Sequence, residues 1–169
     1  SHRFVLDYLM EEVLDRQPSA IQEFNKVLRF YRTSPLADDA AFMVTKSDFK
    51  MSPKPELDPT HTQKALDGLN RFLEEYPRSD RREEAEDLRR ECAGKLAKKA
   101  YRTGELYYKR GQYESALIYL RRVLNDYHDS EWIRQAQFKL AEVFYKQKEY
   151  DKAREEYQRF LRDYPEDEL

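Results

Sequence analysis

The feature that most constrains the fold is a phrase that occurs four times along the chain. It reads RFLEEYPRS at 71–79 and RFLRDYPED at 159–167, with weaker copies at 26–34 and 122–130. When the copies are aligned on their tyrosines, leucine stands three residues before each tyrosine and alanine eleven residues before it. The aligned residues are Tyr31, Tyr76, Tyr127 and Tyr164; Leu28, Leu73, Leu124 and Leu161; and Ala20, Ala65, Ala116 and Ala153. Identical residues at fixed offsets indicate a repeat protein.

The spacing within each phrase predicts the last turns of a helix. The alanine, the residue four later and the pair seven and eight later lie on one helical face. Pro77 and Pro165 disfavour the α conformation of the tyrosine before them, so we expect these helices to end there. Serine stands three residues after the first three tyrosines and is predicted to cap the following helix. These serines are Ser34, Ser79 and Ser130.

A second predicted helix precedes each of the last two phrases, at 100–113 and 138–150. Gly104 and Ala141 occupy the same place in these segments, where two helices must approach closely. The order small, aromatic, turn, alanine, aromatic, proline is that of the tetratricopeptide repeat, a helix-turn-helix unit of about 34 residues.

The predicted fold class is therefore all-α, an α-α superhelix of about eight helices in a tetratricopeptide-repeat solenoid. A proline-rich loop at 50–62 lengthens one repeat, and a proline-free segment predicts one long helix near 80–110. The first helix is expected over 4–17. We predict a single domain over 1–169, with repeats at about 1–34, 35–79, 80–130 and 131–169.

Composition excludes several classes of function. The chain has 31 Lys and Arg against 33 Asp and Glu, and this balance argues against a nucleic-acid binder. The single cysteine, Cys92, allows no internal disulfide, and the three histidines form no metal-ligand pattern. Four glycines are too few for a phosphate-binding loop. We therefore predict a protein that is not an enzyme and has no catalytic residues, metal or cofactor.

The candidate site is a partner-binding surface on the first helix of each pair, which lines the concave groove in tetratricopeptide folds. The same order of aromatic, acid, aromatic and lysine occurs there twice, 37 residues apart. We call these residues the ladder: Tyr101, Glu105, Tyr108, Lys109, Phe138, Glu142, Tyr145 and Lys146. Aromatic side chains are enriched at interface hot spots. The alternative is that Tyr101, Phe138 and Tyr108 only pack between repeats.

Basic residues between Arg81 and Arg102 alternate with acids, which favours a solvated helix face. A secondary hypothesis is that the basic end, from Lys95 to Arg102, meets an acidic partner surface.

Residues 57–130 resemble the BamD family, the lipoproteins of the outer-membrane β-barrel assembly (BAM) machinery. The resemblance lies in the proline-rich insertion ending Asp-x-Thr-x-Thr, the Tyr-Pro-x-Ser step, and the long helix ending Tyr-Tyr-Lys-Arg-Gly-Gln-Tyr at 107–113. Family members carry an acylated N-terminal cysteine and usually five repeats, so we expect this chain to be an N-terminally truncated fragment.

The resemblance implies a non-enzymatic scaffold at the periplasmic face of the outer membrane. It implies two partners, the periplasmic domains of the barrel-forming subunit and unfolded outer-membrane protein precursors. It also implies that the membrane is reached only through an N-terminal lipid anchor, which we expect this fragment to lack. Nucleic acid is not expected as a partner, because of the charge balance given above. The alternative is a generic periplasmic tetratricopeptide adaptor of the cell-envelope or division machinery.

Overall fold

The computed structural model describes residues 17–30, 37–52 and 58–165, and these residues form seven α-helices. The helices are α1 (Gln17–Phe30), α2 (Ala37–Lys50), α3 (Thr60–Glu75), α4 (Arg82–Lys109), α5 (Tyr113–Asp126), α6 (Ile133–Lys146) and α7 (Tyr150–Asp163). The all-α prediction is confirmed. The helix predicted over 4–17, apart from its last residue, together with Tyr31 and Ser34, lies outside the described residues.

The chain divides into two compact units, the first ending at Cys92 and the second beginning at Ala93. In the first unit α2 packs against α1 and α3, and in the second α6 packs against α5 and α7. The long helix α4 contributes residues to both units. Antiparallel helix pairs of this kind are compatible with a helical repeat, and the predicted repeat boundaries stay a prediction. Within the described ranges, no helix is long and apolar enough to cross a membrane.

The predicted helix ends at the repeated tyrosines are confirmed. Helices α3, α5 and α7 each end one residue before a tyrosine, and this tyrosine donates its backbone N–H to the carbonyl four residues earlier. The N···O distance is 2.8 Å at Tyr76 and at Tyr164. The repeated alanines whose side chains the structure describes are buried, at 2 % exposure or less. They are Ala65, Ala116 and Ala153 of the repeated phrase, and Ala40, Ala85 and Ala136, each of which follows a repeated serine by six residues.

The prediction that serine caps the next helix is wrong for Ser130. Helix α6 begins at Ile133 and makes no side-chain cap, because two further residues separate the serine from the helix. It is the serine carbonyl that accepts an N–H across this turn, from Ile133 at 3.3 Å, and Ser79 does the same for Arg82 at 3.1 Å. The Ser79 hydroxyl also accepts the Arg81 N–H at 3.2 Å, ahead of α4.

The predicted long helix is confirmed as α4, with 28 residues. Its apolar stripe buries Ala85, Cys92, Leu96 and Ala100 and half-buries Leu88. The close approach predicted at Gly104 is also confirmed, because a Cβ there would lie 3.1 Å from Leu120 Cγ on α5. A side chain larger than glycine would therefore displace α5 or the leucine.

The turns that follow α4 and α6 are equivalent. Gln112 donates its N–H to the Tyr107 carbonyl at 2.9 Å, and Glu149 donates to the Phe144 carbonyl at 3.0 Å. This bond, from five residues back, belongs to the Schellman ending of a helix. The same hydrogen bonds thus join the helices of both hairpins in the second unit.

The start of α4 is fixed to the start of α2 by an ion pair and a hydroxyl–carboxylate hydrogen bond, both partly buried. Arg81 Nε donates to Asp39 Oδ1 at 3.0 Å, and the Asp39 side chain is only 5 % exposed. The Ser79 hydroxyl donates to Asp38 Oδ2 at 2.8 Å. Carboxylates at the first turn of α2 therefore hold both donors at this joint.

Candidate partner-binding surface

All eight ladder residues lie in the second unit, on the C-terminal half of α4 and along α6. Tyr145 is 56 % exposed, and Lys109 and Lys146 are also exposed. The other five ladder residues are half-buried: Tyr101, Glu105, Tyr108, Phe138 and Glu142. The ladder is therefore a partly covered surface whose most exposed part is at the C-terminal end of α6.

Lys139 joins the two helices, and sequence reasoning missed it. Its ammonium lies 4.9 Å from the centroid of the Tyr108 ring on α4 and 2.5 Å from Glu142 Oε2 on α6. The Lys139 side chain is only 18 % exposed, which strengthens both the cation–π contact and the ion pair. One feature of the sequence could have identified it: Lys139 and Glu142 are three residues apart, the spacing of an ion pair within one helix.

Burial and neighbouring charges both shift the pKa values of Lys139 and Tyr101. Burial alone would lower the pKa of Lys139, but the hydrogen bond and negative charge of Glu142 outweigh it, and the pKa is raised. The pKa of the Tyr101 phenol is raised mainly by burial; Lys139 opposes this rise, and Glu105 and Glu142 add to it. The acid, lysine and phenols thus form one electrostatic cluster between α4 and α6.

Two ladder aromatics make packing contacts in the free protein. Tyr101 lies against Trp132 with ring centroids 5.3 Å apart. Phe138 meets Tyr157 and Phe160 of α7 edge-on, at 5.6 and 5.3 Å. These contacts hold the rings in fixed orientations and leave less of their surface for a partner.

The other two ladder aromatics begin equivalent pairs near the helix turns. Tyr108 lies 6.0 Å from Tyr113, and Tyr145 lies 5.6 Å from Tyr150, as ring-centroid distances. Tyr150 is 58 % exposed, so the second pair offers two aromatic rings to solvent.

The ladder also contains an ion pair of its own, in which Lys109 lies 3.4 Å from Glu105 on α4.

Tyr157 and Trp132 also belong to this surface and were not among the predicted site residues. Tyr157 stands at the repeat position occupied by Leu120 in the preceding repeat, so its phenol ring replaces a core leucine. Its pKa is raised by burial first and then by the charge of Glu142. The repeat alignment carried the signal for Tyr157, because a tyrosine at an apolar position brings a hydroxyl to the edge of the core.

A separate apolar patch lies on the hairpin of α4 and α5. Leu106 is 46 % exposed and Ile118 is 66 % exposed. Each precedes one member of a stacked pair, Tyr107 and Tyr119, whose ring planes differ by 16°. This patch is a second candidate contact surface of the same unit.

The first unit contains an open groove of about 720 Å³ between α1, α2 and α3. Apolar and charged side chains both line it. They include Leu28, Val44, Phe72 and Tyr76 together with Arg29, Arg71 and Glu75. The groove offers aliphatic and aromatic contacts beside charges of both signs.

Comparison with known proteins identifies the family. Two overlapping stretches, residues 14–131 and 95–168, match the family model of YfiO, described as an outer membrane lipoprotein. YfiO is the BamD family, to which residues 57–130 show the resemblance. No curated protein matches the chain. Because the two stretches together extend over most of the sequence, the chain belongs to the YfiO family of outer membrane lipoproteins.

Proposed function

We propose that this protein is a non-enzymatic scaffold of the outer-membrane β-barrel assembly machinery, acting at the periplasmic face of the outer membrane. It binds the periplasmic domains of the barrel-forming subunit and helps to deliver barrel precursors. The observation that carries the proposal is the ladder of the second unit, in a member of the outer membrane lipoprotein family.

The ladder suits protein recognition because its side chains are already ordered. Lys139 holds Tyr108 and Glu142, and packing holds Tyr101 and Phe138. A partner that docks on such a surface loses little free energy in ordering side chains. The exposed rings of Tyr145 and Tyr150 then provide the apolar area that an interface buries.

Precursor delivery requires a second surface, and the groove of the first unit supports one. Its volume of about 720 Å³ suits a few side chains of an extended polypeptide. Arg29, Arg71 and Glu75 offer charged partners beside the apolar lining. In this scheme the protein holds the barrel-forming subunit with one unit and a precursor segment with the other.

The proposal is tested by calorimetric titration of the protein with the periplasmic domains of the same organism's barrel-forming subunit. We expect saturable binding, weakened roughly 10- to 30-fold by Tyr108→Ala or Tyr145→Ala, the range of an interface hot spot. Leu161→Ala is the matched control, because Leu161 is 41 % exposed on α7, outside the ladder. Its affinity should equal that of the unchanged protein.

Two results would contradict the proposal or relocate the contact. Absence of binding by a protein shown to be folded by circular dichroism would favour the generic periplasmic adaptor. Binding that survives both tyrosine substitutions but is lost in Ile118→Ala would place the contact on the apolar patch beside Tyr107 and Tyr119.

A further inference from the structure

The turns before α4 and α6 are equivalent joints with different hydrogen bonding. Each contains a serine three residues after a repeated tyrosine, Ser79 at the first joint and Ser130 at the second. At the first joint the Ser79 hydroxyl and Arg81 Nε each meet a carboxylate, of Asp38 at 2.8 Å and of Asp39 at 3.0 Å. The first joint thus pairs two side-chain donors with two acidic side chains of its own unit.

The second joint also has two donors, and no acidic side chain in the described part of the chain accepts from them. Trp132 occupies the position of Arg81, two residues after the serine. Neither Ser130 Oγ nor Trp132 Nε1 has a hydrogen-bond partner among the described residues, although both atoms are buried. Ser130 is only 8 % exposed. An unpaired buried donor costs about 1–3 kcal/mol, so each of these groups gains from an acceptor.

The surroundings of the two donors favour a negatively charged acceptor. The Lys98 ammonium lies 5.9 Å from the centroid of the Trp132 ring. The turn leads into α6, a helix of 14 residues whose first N–H groups and dipole favour an anion. Asp129 and Glu131 flank the serine, but both side chains are exposed and therefore screened by solvent.

We infer that this joint binds a carboxylate, supplied by an acidic side chain of a partner protein. The Ser130 hydroxyl and the Trp132 indole N–H donate to its oxygens, and Lys98 balances its charge. Both donor atoms are covered in the free protein, so the acid reaches them only when side chains of the turn move aside. The residues on either side of Ser130, Asp129 and Glu131, are exposed and can do so. The Trp132 ring also contacts Tyr101 of the ladder, so the bound acid would adjoin that surface. The inference does not depend on which protein the partner is.

The test uses Trp132 as its own probe. It is the single tryptophan of the chain, so its indole N–H gives one resonance in a nitrogen-15 correlation spectrum. The protein is titrated with sodium acetate against sodium chloride at equal ionic strength. We expect a saturable downfield shift with acetate and none with chloride. Ser130→Ala and Lys98→Met should each weaken acetate binding roughly 2- to 10-fold, the effect of losing one hydrogen bond or one nearby charge.

Ser79→Ala is the matched control, because the Ser79 hydroxyl already donates to Asp38. Its acetate affinity should equal that of the unchanged protein. A resonance that does not respond to acetate would overturn the inference, as would an equal response of Ser130→Ala, Lys98→Met and the unchanged protein. Saturation by inorganic phosphate without saturation by acetate would also overturn it, because the joint would then select a phosphate group.

Discussion

Gly111 and Lys148 occupy the same position of equivalent turns, 37 residues apart, and share a left-handed backbone. Their φ angles are 70° and 64°. Glycine adopts this conformation at little cost, whereas a side chain such as that of lysine costs about 1 kcal/mol there. The helix ending requires this conformation in both hairpins, and only the first hairpin meets it with the residue best suited to it.

Substitutions at Lys148 and Gly111 should change the free energy of unfolding in opposite directions. We expect Lys148→Gly to raise the free energy of unfolding by about 1 kcal/mol and Gly111→Ala to lower it by about 1 kcal/mol. A Cβ at Gly111 would meet no atom within 4 Å, so the cost is conformational only. Urea unfolding followed by circular dichroism measures both changes. A loss of stability in Lys148→Gly would show that the lysine side chain makes a compensating contact.

Two glycines of α4 should respond oppositely to alanine. A Cβ at Gly94 has no neighbour within 4 Å, so Gly94→Ala should raise the free energy of unfolding by about 0.5–1 kcal/mol through helix propensity. Gly104→Ala gains the same propensity but forces contact with Leu120, 3.1 Å from the new Cβ. We therefore expect no gain, or a loss, at Gly104. Thermal unfolding of both variants measures the two changes. An equal gain in stability at both sites would refute the close approach of α4 and α5.

The Asp39–Arg81 pair should contribute much more to stability than exposed pairs do. Asp39→Ala leaves the Arg81 guanidinium, whose side chain is 19 % exposed, without this carboxylate. We expect a loss of roughly 2 kcal/mol, because the partly buried guanidinium loses its hydrogen-bonded carboxylate and keeps the longer contact with Glu84, at 3.7 Å. The matched control is Asp151→Ala, which breaks the exposed Asp151–Arg154 pair. There the loss should stay below about 1 kcal/mol. Chemical denaturation of both variants measures the two losses. Similar losses would contradict a larger contribution from the Asp39–Arg81 pair.

Lys139 should control the titration of Tyr101. Because the positive charge of Lys139 lowers the pKa of this phenol, Lys139→Met should raise that pKa further. Glu142→Gln should lower it, because the carboxylate of Glu142 raises it. NMR titration of the tyrosine ring resonances above pH 9 measures both shifts. An unchanged Tyr101 in Lys139→Met would mean that the lysine is too far away to act.

The raised pKa values of Tyr101, Tyr157 and Lys139 also set a direction for stability at high pH. A group whose folded pKa lies above its unfolded value binds its proton more tightly when folded. Its contribution is fully present below the unfolded pKa, near 10.0 for tyrosine and 10.5 for lysine, and is lost as pH rises through the folded value. We expect the unfolding midpoint in urea to fall above about pH 10. A midpoint that rises in this range would contradict the assignment.

The regular parts of the fold followed from sequence because repetition tests each assignment several times. Alanine and tyrosine at fixed offsets predicted the helices and their ends, and the missing prolines predicted α4. The repeated leucine lies at the edge of the buried face, since Leu161 is 41 % exposed. The serine cap failed because the offset between Ser130 and α6 depends on the backbone path of the turn. Sequence spacing does not determine that path.

The surface could be predicted only in part. Helical periodicity correctly assigned Tyr101, Tyr108, Phe138 and Tyr145 to one stretch of α4 and to α6. Lys139 was missed because its importance arises from contact with the Tyr108 ring across two helices. Such a contact depends on the rotation of each helix about its axis, and a single sequence does not encode this rotation in a readable pattern.

The equivalent turns of the second unit also bear on how a protein of this kind gains or loses helices in evolution. The segment from Gly111 to Lys148 begins and ends at the same point of the same helix ending. Duplication of the gene segment that encodes it would add two helices, equivalent to α5 and α6, while leaving both flanking junctions in a geometry that the chain already uses. Stacked repeats contact mainly their neighbours, so an added copy disturbs few existing contacts. Growth or shortening by one such pair of helices is therefore the change in length that this architecture tolerates most readily.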